Sequence, residues 1–130
     1  MSNTQHLVAR DMDSGLVVAD RVTLATTRSE RRRGLLGRSH LEPGEALLIA
    51  PCNGVHMFFM RFAIDMLALD KNGVVVDAVS ELKPWRIRLP RPGSHSVLEL
   101  PAGTLVKTRT KIGNRIDIDV TTPMPATEVA

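Results

Sequence analysis

The stretch that most restricts how this chain can fold is Ala63 to Val79, in which two apolar runs flank Asp70-Lys71-Asn72-Gly73. A loop of that composition, with glycine available for a positive φ, joins antiparallel strands. Ala63 to Leu69 is therefore expected to be one strand and Val74 to Val79 its return. The period of two also sets faces: Asp65 cannot be hidden by a one-residue slip without turning out Ile64, Met66 and Ala68 or their neighbours. A carboxylate there needs a partner.

Similar signals recur along the chain. His6 to Arg10 and Leu16 to Ala19 flank the turn formers Asp11-Met12-Asp13-Ser14-Gly15 and read as a hairpin, with another β-branched piece at Val22 to Ala25. Ala46 to Ala50 is an uninterrupted apolar run between Glu42-Pro43-Gly44 and Pro51, which fits a central strand. Asn53-Gly54 permits a tight turn, and Val55 to Met60 can be extended after it. Ser96 to Leu100 leads into the turn Pro101-Ala102-Gly103. Ile116, Ile118 and Val120 alternate with Asp117 and Asp119, as in a half-buried strand. Glu81 to His95, with Pro84, Pro90 and Pro92, is expected to be a long, stiff surface loop carrying Trp85.

Helical signals are few. Thr27-Arg28-Ser29-Glu30 has the form of a capping box, so one short helix is expected near residues 28–36, stopping about Gly34 to Gly37. So short a helix needs tertiary support, which Leu35 and Leu36 can supply by pinning its end to the sheet. A helical turn is also expected near residues 104–110. Seven or eight short strands with one helix leave little room for crossovers. The fold class that follows is mainly β, a small antiparallel sandwich or barrel.

With 43% hydrophobic and 24% charged residues among 130, the chain has the composition of one ordinary domain. Residues 1–120 are expected to form it, and the proline-containing residues 121–130 to be a disordered tail. One cysteine cannot make an internal disulfide. The N-terminus lacks the pattern of a secretion signal, and no segment approaches the roughly 20 apolar residues of a membrane span. The expectation is a soluble, cytoplasmic, monomeric protein with no membrane partner.

The net charge of +3 is carried mainly by arginine and clusters at Arg28, Arg31, Arg32, Arg33 and Arg38 and at Lys83, Arg86, Arg88 and Arg91. Such basic patches attract anionic partners, although solvated faces are the plainer explanation.

Three ordered motifs are recognisable: Arg31-Arg32-Arg33-Gly34-Leu35-Leu36-Gly37-Arg38, then Val55 through Asp65, then Val97-Leu98-Glu99-Leu100-Pro101-Ala102-Gly103. Over about Arg31 to Ile118 the chain resembles the uncharacterised bacterial and archaeal family known as domain of unknown function 192. The resemblance implies a jelly-roll-like, mainly β fold with no established activity, and it marks Arg31, Gly34, Met60, Asp65, Glu99 and Gly103 as recurring positions. Ala63, Phe59 and Asn114 depart from the residues usual at their places in that family.

The run from Cys52 to Asp70 holds the only cysteine, three of the four aromatic residues, and His56, Arg61 and Asp65. Charge within an apolar run must be paired or exposed at a site. On one strand, Arg61 and Asp65 would stand roughly 13 Å apart at about 3.3 Å per residue, too far to touch. Asp65 is therefore expected to meet Arg31 or Arg38 from the helix as a structural ion pair. Cys52 and His56 are too few for a metal site, and Pro51 and Gly54 argue against placing them on one helix, so neither a metal nor another cofactor is assigned.

The leading functional reading is a non-catalytic module that binds a small ligand or protein, of anionic character, at a concave surface formed by His56, Met60, Arg61, Trp85 and Arg86. An alternative is a hydrolase-like or metal-dependent enzyme using Asp65 or His56, but no nucleophile, base and orienting group can be assembled, and no catalytic residue is assigned. Nucleic-acid binding through the arginine patches is the weakest reading, because tyrosine is absent and the phenylalanines sit in the apolar run.

Overall fold

The computed structural model of the protein describes residues 6–52 and 54–121. Within them the elements run β1 (His6–Asp11), β2 (Val17–Ala25), α1 (Arg28–Arg33), β3 (Glu45–Ile49), β4 (Val55–His56), β5 (Ile64–Leu69), β6 (Val75–Leu82), β7 (Ile87–Arg88), β8 (Ser96–Pro101), α2 (Thr104–Thr108) and β9 (Ile116–Thr121). The molecule is mainly β, as its turn and strand pattern requires. Residues 122–130 of the expected tail and the turn residue Asn53 lie outside the described residues, while Thr121 is the last residue of β9.

The β5–β6 hairpin forms where the loop composition places it. Asp70 Oδ1 accepts the amides of Asn72 and Val74, at 2.8 and 2.9 Å, and holds the turn from inside. Around it the strands assemble into one seven-stranded sheet in the order β6-β5-β8-β3-β2-β1-β9. Every neighbouring pair is antiparallel except β2 and β3, which run parallel from Arg21 beside Glu45 to Ala25 beside Ile49. Parallel neighbours need a crossover, and α1 lies in it.

The capping box that starts α1 is complete: the Glu30 amide donates to Thr27 Oγ1 and the Thr27 amide to Glu30 Oε1, both at 3.1 Å. The helix is shorter than expected and stops at Gly34, whose backbone (φ 50°, ψ −127°) is open to glycine and strained for other residues. Leu35, just beyond it, is buried in the core.

β5 is buried along its whole length, and its alternation divides the interior in two. Ile64, Met66 and Ala68 pack with Leu47, Ile49, Val97, Leu35, Val55, Met57 and Met60 on the face covered by the α1 segment. Leu67 and Leu69 pack with Ala9, Val22, Leu98, Leu100, Leu105 and Ile116 on the other face. The sheet curls until its two edge strands meet just ahead of β6 and β9, where Val74 bridges Arg115 and the Ile116 amide donates to Gly73 O at 2.8 Å. A Cβ on Gly73 would stand 2.5 Å from that same region's Ile116 O, so the approach requires glycine. Among the described residues the contact does not extend along both strands, so the sheet is curled but not a closed barrel.

The segment Glu81 to His95, expected to be irregular throughout, contains β7, which pairs with β4 as a two-stranded ribbon. Its anchor is Arg88, whose guanidinium makes a fork to the buried Asp77 carboxylate on β6 at 2.7 and 2.8 Å. Arg91 adds a longer contact to the same carboxylate. No helix among the described residues is long and apolar enough to cross a membrane.

Candidate functional site

Strand β8 carries Val97-Leu98-Glu99-Leu100, and its alternation puts Glu99 on the same face as Val97. Its strand neighbours are Leu47 on β3 and Met66 on β5, both buried apolar residues. A carboxylic acid has thus been placed where the pleat calls for a core side chain. Glu99 is only 5% exposed, and its side chain makes no hydrogen bond or ion pair among the described residues. Burial pushes its pKa up to about 7, since the ionised form loses hydration that nothing replaces.

Glu99 lines a cavity of about 90 Å³ whose walls include Arg31, Gly34, Ile49, Cys52, His56 and Met60. Each wall has a local cause. Gly34 ends α1, and a Cβ there would stand 3.9 Å from Glu99 Oε1, so its bare backbone leaves the space above the carboxyl open. The β4 side of the cavity is held by β7 and, through Arg88, by Asp77. Arg31, on α1, donates from Nη1 to Pro51 O at 3.3 Å, while its Nε is buried without a hydrogen-bond partner. The same arginine lines an adjoining open cleft of about 310 Å³ with Pro51, Cys52, Ser94 and His95, where the buried Ser94 Oγ is likewise unpartnered. The Cys52 thiol donates to Gly54 O at 3.1 Å. No group of three or more His, Cys, Asp or Glu side chains placed to hold a metal ion occurs among the described residues.

The residues singled out in the sequence are divided between two places. His56 and Met60 line the cavity. Arg61, Trp85 and Arg86 do not; all three are exposed on turns outside it. The link between the two groups runs over the outer surface, from His56 to Phe58 at 5.0 Å between ring centroids, Phe58 to Trp85 at 6.0 Å, and Trp85 to Phe59 at 4.9 Å. Phe59 is 72% exposed, contrary to the expectation that the phenylalanines are interior. Only Val55 and His56 of that run are extended; Phe58 and Phe59 form a turn, with Phe59 at φ 64°, and leave the strand alternation.

The ion-pair expectation for Asp65 needs correction. Asp65 is fully buried, but its two oxygens accept backbone amides, Glu81 at 2.9 Å and Leu105 at 2.8 Å. Arg31 and Arg38 cannot meet it because the pleat points Asp65 to the face of Leu67, away from α1. Arg38 instead pairs with Glu45 at 3.1 Å. Asp65 does fasten a helix, but that helix is α2, whose N-cap Gly103 has no side chain to cover the first amides.

Glu99 was not among the site residues expected from the sequence. Its signal was present in the alternation of Val97 to Leu100, which sets a glutamate in a core position. Of the six positions marked by the family resemblance, Arg31, Gly34, Met60 and Glu99 line the cavity, while Asp65 accepts the Leu105 amide at the start of α2, whose N-cap is Gly103.

The family profile of domain of unknown function 192, described as Uncharacterized ACR, matches residues 9–118. A UPF0127 protein of Thermococcus sibiricus is 34% identical over 113 residues, covering 82% of this chain and 71% of the relative. A UPF0127 protein of Pyrococcus abyssi is 33% identical over 103 residues, covering 75% and 85%. Among solved structures, a Sinorhizobium meliloti protein named as a candidate transcription regulator superposes with a TM-score of 0.77 at 26% identity, covering 91% of this chain and 96% of that one. A protein of unknown function from Novosphingobium aromaticivorans has the same fold, with a TM-score of 0.72 at 23% identity and coverage of 85% and 82%.

Proposed function

This chain belongs to the domain of unknown function 192 family, and from that premise we propose that it is a binding module that takes a small anionic ligand in the cavity over Glu99. The observation that carries the reading is Glu99 itself. A buried acid with no protein partner is costly, and a ligand that hydrogen-bonds to it removes the cost. With its pKa near 7, the group can donate or accept at neutral pH. Arg31 lies across the cavity with an unpartnered Nε, beside Arg32 and Arg33, and supplies the positive end. The ligand fitting both ends has a carboxylate or similar oxyanion at one end and a hydroxyl or amine at the other. The cavity, about 90 Å³, is smaller than the roughly 150 Å³ that admits a benzene ring, which limits the buried part to a few heavy atoms.

The hydrolase-like reading through Asp65 and His56 lacks support, because Asp65 points to the opposite face of the sheet and spends both oxygens on backbone amides. The relative named as a candidate transcription regulator does not direct the reading either, since that name describes the relative alone.

Ligand-observed NMR with glycolate, lactate and glycine at millimolar concentration tests the proposal. Binding to the wild-type protein is expected, with a loss of about tenfold or more in Glu99→Leu and in Arg31→Gln, the cost of one charge-assisted hydrogen bond. Equal binding by wild type and both variants, or no binding by wild type, would sink it.

A further inference from the structure

We propose that the outer face of the β4–β7 ribbon and the two turns beside it form a docking surface for an anionic lipid bilayer. Four large apolar side chains stand out from this part of the molecule: Phe59 at 72% exposure, Trp85 at 59%, Ile87 at 56% and Leu89 at 74%. Phe59, Trp85 and Ile87 are linked through His56 and Phe58, and Leu89 follows Ile87 by two residues. His56 and Ile87 are cross-strand partners and share the outer face of the ribbon, whereas their neighbours Val55 and Arg88 face inward, to the core and to Asp77. From His56 the surface continues through Phe58 to Trp85 and Phe59 by ring contact. The two turns are tied together, since the Trp85 amide donates to Met57 O and the Met57 amide to Arg86 O, both at 2.7 Å. Phe59 and Trp85 are both held at positive φ, 64° and 71°, an unfavourable backbone state for aromatic residues that keeps their rings outside the core.

Charge selects the occupant. Arg61, Lys83 and Arg86 are exposed beside these rings and make no ion pair among the described residues, and no acidic residue occurs from Leu82 to Leu98. A second copy of the chain would set these cations against each other. Single-stranded nucleic acid needs open ring faces, but Ile87 and Leu89 have none, and Phe59 and Trp85 pack on one another at 59°. The backbone groups that join the turns bond to each other and are not free to receive a peptide strand. Apolar side chains, an aromatic pair and unpaired cations are the chemistry of peripheral attachment in the headgroup region, where aromatic rings sit at the interface and basic residues meet anionic lipid. This contact lies on the membrane surface and requires no spanning segment.

Trp85 is the only tryptophan, so its fluorescence reports on the patch alone. The experiment adds vesicles of phosphatidylcholine, with or without one part in about three of phosphatidylglycerol, a proportion chosen to give a strongly anionic surface. The expected result is a blue shift of Trp85 emission with the anionic vesicles, quenching by bromine-labelled acyl chains, reversal by salt, and a weaker response to phosphatidylcholine. Arg86→Gln and Lys83→Gln should each lower the partition coefficient about fivefold. Leu89→Ser should lower it with the fluorophore intact and with unchanged far-ultraviolet circular dichroism. Unchanged emission with both vesicles overturns the proposal, as does vesicle association without quenching of Trp85. A blue shift with soluble polyglutamate or an oligonucleotide but not with vesicles also overturns it and names an acidic macromolecule as the occupant.

Discussion

Glu99 couples the stability of this protein to pH in the direction opposite to most carboxylates. Its folded pKa, about 7, lies above the ordinary glutamate value of 4.5, so the folded state binds its proton more tightly than the unfolded chain does. Below pH 4.5 the group costs nothing through ionisation. As pH rises from 4.5 to about 7, folding loses on the order of 3 kcal/mol, and the loss is constant above that range. Urea denaturation of wild type and Glu99→Gln between pH 5 and pH 8 should show a midpoint that falls for wild type and stays flat for the variant, which becomes the more stable of the two above pH 7. A ligand that pairs with the ionised carboxylate would offset part of this loss. Whether Glu99 faces the core could be read from alternation, but the absence of a partner could not, because residues that might have reached it come from α1 and from the segment around β4.

The two helices are capped in different ways at the element scale, and the difference governs how legible each was. In α1 the cap is Thr27 and Glu30, three residues apart, so the motif is complete within the local sequence. In α2 the acceptor is Asp65, forty residues from the Leu105 amide it covers. Asp65→Asn keeps the shape but replaces one acceptor oxygen with a donor, leaving one of two buried amides unsatisfied, and should destabilise by about 1–3 kcal/mol in urea titration. Arg31→Gln and Arg38→Gln should change stability by about 1 kcal/mol or less, since neither residue touches Asp65 and exposed pairs contribute little. A large loss in either arginine variant with no effect of Asp65→Asn would contradict this division. The ribbon β4–β7 follows the same rule as α2: its two strands are each two residues long, too short to be seen by period, and it is held by the remote Asp77–Arg88 fork.

Across the whole molecule, buried aspartates join distant parts of the chain. Asp11 on β1 accepts Thr110 Oγ1 and Asn114 Nδ2, both at 2.9 Å, and so ties the first strand to the turn before β9, near where the curled sheet meets itself. Burial alone would raise the Asp11 pKa, but hydrogen bonds led by Asn114 outweigh it and hold the pKa below the ordinary 3.8. Asp77 is held below the same value first by its hydrogen bonds from Arg88. Both contributions are complete above pH 3.8 and are lost as pH falls through the lowered folded values. With Glu99 acting in the other direction above pH 4.5, stability should be greatest between about pH 4 and pH 5, where the aspartates are ionised and the unfolded chain has only begun to lose the Glu99 proton. A pH series of thermal midpoints checks this. Asp77→Asn should weaken the acid-side fall and also lower the midpoint at pH 7, because Arg88 then loses its charged partner and the ribbon its anchor.

What the sequence determined by itself was whatever acts over a few residues: the Asp70–Gly73 loop, the capping box of α1, the alternation of β5 and β9, and hence a mainly β molecule with a short helix at α1 and a helical turn at α2. Only the tertiary structure decided the sheet order, the parallel pairing of β2 with β3, which face each charged side chain meets, and whether Phe59 and Trp85 lie inside or out. The physical reason is reach. Turn and cap chemistry is settled between neighbours in the chain, whereas the partner of a buried group is whatever the curled sheet brings against it, and for Asp11 and Asp65 that comes from segments far away in sequence.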